Sequence, residues 1–193
     1  MKTDIILAGV GGQGILSIAA TIGMAALNNN LHLKQAEVHG MSQRGGAVQS
    51  HFRVSSKPIA SDLIPKGACD IILSVEPMES LRYVDYLNEN GWIITNSTPF
   101  VNIPDYPDID QIIAKIKSRE NTIVLDADKM AKEVGSPRSS NIVTLGAASP
   151  FIDIPFEAFE EAIKMIFQRK GEKVVTTNLE ALKAGRALAD IIV

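Results

Sequence analysis

The residues best suited to chemistry form a glycine run near the start of the chain, Ala8-Gly9-Val10-Gly11-Gly12-Gln13-Gly14. Gly9, Gly11 and Gly14 have the G-x-G-x-x-G spacing of a dinucleotide-binding turn. Glycines remove the side chains that would hold a ligand off the backbone and allow φ values closed to other residues. The run follows the apolar Ile5-Ile6-Leu7-Ala8 and precedes a small-residue run from Ile15 to Ala26, so it reads as strand, turn, helix. Such a helix aims its first free N–H groups and its positive dipole end back at the turn. An anion, most often a phosphate, is the natural guest. The same pattern would also serve a tight strand-to-helix turn that binds nothing. Gly12 and the amide of Gln13 exceed what a bare turn requires, and they favour a loop shaped around a ligand or a partner chain.

A second stretch, Glu37-Val38-His39-Gly40-Met41-Ser42-Gln43-Arg44-Gly45-Gly46-Ala47, is polar and glycine-rich, with one positive charge at its centre. It follows a strand pattern over 32–39. In a doubly wound sheet it would leave the same carboxyl edge as the first loop, where ligands of such sheets collect. Arg44 could hold a phosphate or carboxylate bidentately. A solvated loop arginine is the bland alternative, and the neighbouring Gly45-Gly46 pair argues against it. The candidate binding residues are therefore Gly9, Gly11, Gly12, Gln13 and Gly14 from the first loop and Ser42, Gln43, Arg44, Gly45 and Gly46 from the second. No residue has the setting of a general acid, base or nucleophile. His32, His39 and His51 are too scattered for a zinc site. Cys69 is the only cysteine, so the chain can form no internal disulfide and cannot by itself hold an iron–sulfur cluster, which usually takes about four thiolates. Lying before Ile71-Ile72-Leu73, it reads as a buried small hydrophobe.

The elements that position these loops alternate along the chain. A strand over 4–8, apolar on both faces, suits a central parallel position. The following helix carries Ile15, Ile18, Ala19, Ile22 and Leu27 and ends at Asn28-Asn29-Asn30, since asparagine tolerates a left-handed helix exit. Val48, Ser50, Phe52 and Val54 fit a further strand, and so does the segment 68–75. Glu76-Pro77 opens a helix whose stripe is Met78, Leu81, Val84 and Leu87, with Gly91 as its stop. Trp92 to Thr95 is a strand. Pro99, Pro104 and Pro107 then make a rigid loop. A helix through Ile109, Ile112, Ile113 and Ile116, a strand over 122–125 and a helix over 129–134 follow. Further helices span 141–148 and the stretch between Pro155 and Gly171. A last helix is marked by the capping-box pattern Thr177-x-x-Glu180. The reading is a single α/β domain, residues 1–193, with a mostly parallel, Rossmann-like sheet flanked by helices.

Composition limits the function. Hydrophobic residues make up 46 %, and the formal charge is −3 with a pI near 5.6, which argues against holding nucleic acid by its phosphates. No apolar run approaches the roughly 20 residues of a membrane span, and Met1-Lys2-Thr3-Asp4 passes directly into a strand with no secretory leader. A cytoplasmic protein is expected. Two function classes remain. The first is the cofactor-binding half of an NAD-dependent dehydrogenase, with Glu37 about where a ribose-binding acid would sit, although a plain strand-end charge is the preferred reading of Glu37. The second is an accessory or purely structural docking subunit that offers an anion-binding edge to a complex holding the redox centres elsewhere.

At the two loops, and over most of the chain, the sequence resembles a known family. Ala8 to Ile15 resembles the opening of the gamma-type domain of 2-oxoacid:ferredoxin oxidoreductases. The stretch Ala36 to Gly46, together with Asp62-Leu63-Ile64-Pro65 and Val75-Glu76-Pro77, is similar to the small beta subunit of the indolepyruvate type. Pyruvate-type relatives usually keep the Arg-Gly-Gly but differ just before it. The resemblance implies a complex, anaerobic and cytoplasmic, that oxidatively decarboxylates aryl 2-oxoacids such as indolepyruvate to acyl-CoA and reduces ferredoxin. It implies that thiamine diphosphate and the iron–sulfur clusters belong to a large alpha subunit. This chain would then be inactive alone, with no catalytic or metal residue of its own, and coenzyme A would lie at or near the interface.

Overall fold

The computed structural model describes residues 1–40 and 45–192. Six strands, β1 (Lys2–Val10), β2 (His32–His39), β3 (Ala47–Ser55), β4 (Cys69–Ser74), β5 (Leu87–Asn96) and β6 (Thr122–Leu125), form one sheet in the order β2-β3-β1-β4-β5-β6. β1, β4, β5 and β6 pair in parallel. β3 runs antiparallel to both of its neighbours, so it alone opposes the others and the sheet is mostly parallel, as expected. One feature departs from the simplest dinucleotide-binding plan: β3 lies between β1 and β2, moving β2 one strand spacing, about 4.8 Å, further from the glycine turn.

The alternation of side chains along the strands sorts the core into two layers. Ile5, Leu7, Ile71, Leu73, Ile94 and Leu125 face α1 (Ile15–Asn28), α5 (Ser140–Ala148), α6 (Phe156–Phe167) and α7 (Glu172–Ile192). Ile6, Cys69, Ile72 and Ile93 face α2 (Pro77–Leu81) and α3 (Ile109–Lys117). A short helix, α4 (Ala127–Glu133), follows β6 and is capped by Asp126, whose carboxylate accepts from the Lys129 amide. At the exit of α1, Asn30 takes φ 56°, the left-handed geometry anticipated for the asparagine run. The helices α5 and α7 cross at Gly146 and Gly185. A Cβ on Gly185 would lie 1.9 Å from the Val143 carbonyl oxygen, so only glycine allows this approach. No helix among the described residues is long and apolar enough to cross a membrane.

Three local expectations need correction. The helix opened by Glu76-Pro77 does not run to Gly91. It stops at Leu81, a 3₁₀ turn covers Val84–Tyr86, and β5 already begins at Leu87. Gly91 lies inside β5, within the stretch where the β4–β5 register is interrupted, and a Cβ there would sit 2.9 Å from the Cys69 carbonyl oxygen. It is a close-approach glycine rather than a helix stop. Thr177 is no N-cap either, since α7 begins at Glu172 and the Thr177 hydroxyl bonds back to the Lys173 carbonyl at 3.0 Å. Lastly, Leu27 does not join the buried face of α1 but is exposed.

Candidate functional site

The turn after β1 is shaped largely by its own side chains. The Gln13 Oε1 accepts from the Val10 N–H at 2.8 Å, and its Nε2 donates to the Val75 carbonyl at 3.4 Å. Its amide is thus committed within the chain, tying the turn to the end of β4. A Cβ on Gly9 would lie 2.5 Å from Val75 Cγ2, so this glycine is required for packing β1 against that end. Gly14 has φ +85°, and a Cβ there would lie 2.5 Å from Asn141 Nδ2, which donates to the Gly14 carbonyl at 3.0 Å. Gly12 differs from both: φ is +102°, and a Cβ would meet nothing within 4 Å. At the start of α1 the Gly14 carbonyl takes the Ser17 and Ile18 amides. The N–H groups of Gly12, Gly14, Ile15 and Leu16 find no acceptor among the described residues.

The second loop meets the first. The Gly11 N–H donates to the Gly46 carbonyl at 2.8 Å, and the Gly45 N–H donates to the Gly11 carbonyl at 3.2 Å. These bonds extend the β1–β3 ladder beyond its Val10–Ala47 pair. The expectation that both loops leave one sheet edge therefore holds, because β1 and β2 point the same way with β3 returning between them. Ser42, Gln43 and Arg44 lie outside the described residues. Gly11, Gly12, Gly14 and Leu16 line one side of a cleft of about 440 Å³, whose far wall includes Glu37 and His39 of β2. Gly9 and Gln13 do not line it.

Exposed apolar side chains gather at this carboxyl edge. Leu16 stands at the cleft, Val38 near the end of β2, and Phe100, Val101 and Ile103 on the loop after β5. Asn102 Nδ2 donates to the Gly45 carbonyl at 2.7 Å, which holds that loop against the second glycine loop.

One polar cluster escaped the sequence reading. Glu76, fully buried at the end of β4, caps α2 by accepting the Glu79 amide on Oε2 at 2.8 Å. Its Oε1 accepts from the Phe100 N–H at 3.3 Å and from the Tyr106 hydroxyl. Burial and this carboxylate push the Tyr106 phenol well above its ordinary range. Only the Glu-Pro helix start was visible beforehand; Phe100 and Tyr106 lie more than twenty residues downstream. Neighbouring Glu79 is also buried, with Oε1 on Arg82 Nε at 3.0 Å and Oε2 unpartnered among the described residues, and its carboxyl is pushed up mainly by burial.

Cys69 is buried and its thiol is pushed up to about 12, chiefly by that burial, so it is no nucleophile. His39 is exposed, whereas His51 is buried and takes the Ile64 N–H on Nδ1 at 3.1 Å. Among the described residues no three His, Cys, Asp or Glu side chains are grouped to hold a metal ion.

Comparison with known proteins agrees with this arrangement. The family model for pyruvate ferredoxin/flavodoxin oxidoreductase matches residues 4–188. The indolepyruvate oxidoreductase subunit IorB of Archaeoglobus fulgidus is 36 % identical over 194 residues, covering 96 % of this chain and 94 % of that one. Among solved structures, the keto/oxoacid ferredoxin oxidoreductase gamma subunit of Geobacter sulfurreducens superposes with a TM-score of 0.70 at 26 % identity, covering 98 % of this chain and 99 % of that chain. The 2-oxoglutarate:ferredoxin oxidoreductase of Magnetococcus marinus, solved with 2-oxoglutarate, coenzyme A and succinyl-CoA bound, superposes over the whole chain with a TM-score of 0.77 at 25 % identity. This chain spans about a third (32 %) of that longer polypeptide. By the extent of the family match and the near full-length identity, the chain belongs to the pyruvate ferredoxin/flavodoxin oxidoreductase family.

Proposed function

We propose that this chain, residues 1–193 as one gamma-type domain, is the small subunit of an indolepyruvate-type 2-oxoacid:ferredoxin oxidoreductase in the cytoplasm of an anaerobe. Its glycine cleft receives coenzyme A at the interface with a large subunit. The complex takes an aryl 2-oxoacid and coenzyme A to acyl-CoA and carbon dioxide, the electron pair passing to ferredoxin. Thiamine diphosphate and iron–sulfur clusters on the large subunit supply the decarboxylation and electron transfer. A chain with a single cysteine does not suit a cluster of its own.

The observation that carries the reading is the joining of Gly11 to Gly45 and Gly46, which makes one wall from two glycine loops beside the start of α1. The N–H groups of Gly12, Gly14, Ile15 and Leu16 and the helix dipole favour an anion there. Arg44 would add charge and bidentate bonding. Glu37 can only accept, which suits a sugar hydroxyl rather than a phosphate. Docking without ligand binding is the second reading. It is favoured by the exposed Leu16, Phe100, Val101 and Ile103 at the same edge, an arrangement typical of a contact surface. In the longer relative the corresponding fold is one third (32 %) of a single polypeptide, which fits a domain made to sit against others.

An Arg44→Ala chain assembled with its large subunit separates the two. The binding reading expects assembly to survive and the apparent KM for coenzyme A to rise about tenfold. Loss of assembly with an unchanged KM would leave docking alone.

A further inference from the structure

The loop after β5 lies between the buried Glu76 and the second glycine loop beside the cleft, and hydrogen bonds join it to both. Glu76 is fixed at the carboxyl end of β4, held by the cap on α2 and by Ser74 Oγ, which donates to the Glu76 carbonyl at 2.6 Å. From there its free carboxylate oxygen takes Phe100 N–H and Tyr106 O–H, two points near the middle and the end of segment 97–107. The segment's start is pinned to the sheet by the Ser97 amide on the Leu125 carbonyl at 2.8 Å. Pro99, Pro104 and Pro107 stiffen the chain between these points. Between Phe100 and Tyr106 stands Asn102, whose amide reaches the Gly45 carbonyl at 2.7 Å, and the Gly45 amide in turn reaches the Gly11 carbonyl.

We infer that Glu76 is a positioning residue for the glycine cleft, acting through segment 97–107 and Asn102 on Gly45. The chemistry explains why a carboxylate stands there. A buried polar group is costly unless donors face it. Glu76 receives two backbone amides and a phenol, spread over both of its carboxyl oxygens. A neutral glutamine offers one acceptor oxygen where two are needed. Gly45, at φ +79° with open space around it, has no side chain to fix its place and depends on such outside ties.

The test uses the 193-residue chain and residue-resolved amide hydrogen exchange. Tyr106→Phe removes one strap bond without changing shape, and Asn102→Ala cuts the far end. In Tyr106→Phe the Phe100 and Gly45 amides are expected to exchange about tenfold faster, with Ile6 and Ile72 in the central strands unchanged. In Asn102→Ala only Gly45 should loosen while Phe100 keeps its protection. Faster exchange at Phe100 with Gly45 unaffected in Tyr106→Phe would overturn the inference. So would acceleration spread equally to Ile6 and Ile72, which would mark loss of the fold rather than of the strap. A second measurement, on the assembled complex, rests on the coenzyme A reading: Tyr106→Phe should raise the apparent KM for coenzyme A severalfold with kcat unchanged. If Gly45 loosens and that KM does not move, the positioning role stands and the coenzyme A reading falls.

Discussion

The Gly11 amide and the Gly46 carbonyl, 2.8 Å apart, turn two separate loops into one surface. β3 makes the bond possible. It returns antiparallel beside β1 and delivers the second glycine loop to the end of the first. The same strand sets this site apart from a dinucleotide fold, where the acid-bearing strand would lie directly against β1.

That insertion predicts an outcome for nicotinamide cofactors. Glu37 is displaced by one strand spacing from the ribose-binding position, and Gly9 is filled by Val75 rather than open to a pyrophosphate. NADH fluorescence should therefore stay unchanged when the purified chain is added. A blue shift with saturable enhancement would restore the dehydrogenase reading.

The two kinds of glycine should respond differently to alanine. Gly185→Ala drives a methyl into the Val143 carbonyl at the α5–α7 crossing and should cost about 3 kcal/mol or more, lowering Tm by roughly 6–12 °C. Gly12→Ala meets open space and bears only the strain of φ +102°, about 1–2 kcal/mol. Thermal melts of both variants check the order.

How much of this was legible beforehand follows from where each interaction lies along the chain. The glycine turn and the Asn30 exit are local, and the residue pattern alone revealed them, as it did a helix near 129–134, whose Asp126 cap it missed. The place of β3 between β1 and β2 depends on which strands pair, which periodicity does not encode. The last apolar residue of the helix expected through Leu87 is instead the first of a strand, where Leu87 pairs in parallel with Cys69. Glu76 looked like a helix-start charge because Phe100 and Tyr106 come to it only in the folded chain. For Gln13 the residue was singled out, but its Val75 partner, 62 positions on, was not visible.

Burial of His51 gives a pH response. Its pKa is lowered, first by desolvation, and Nδ1 must stay unprotonated to accept the Ile64 N–H. A histidine with a depressed folded pKa adds stability above its unfolded value near 6.5 and loses it as pH falls through the folded value. Denaturant midpoints should therefore decline below about pH 6.5. His51→Asn, which keeps an acceptor but does not titrate, should flatten the decline. An equal slope in both chains would contradict this.

Glu79 should show the opposite sign. Its carboxyl is raised, mainly by burial, so a proton is held more readily in the folded chain than in the unfolded one. The stability it contributes is full below the unfolded value and is lost as pH rises through the folded one. Glu79→Gln, which gives up only a half-exposed Arg82 partner, should be more stable than the parent at pH 8 by about 1 kcal/mol. The gain should shrink toward pH 4.

The most direct measurement is coenzyme A binding to the large subunit with and without this chain, followed by calorimetry. A cleft that holds the coenzyme predicts affinity at least about tenfold tighter in the assembled complex, and loss of much of that gain with Arg44→Ala. Equal affinity for the large subunit alone and for the complex would contradict the account.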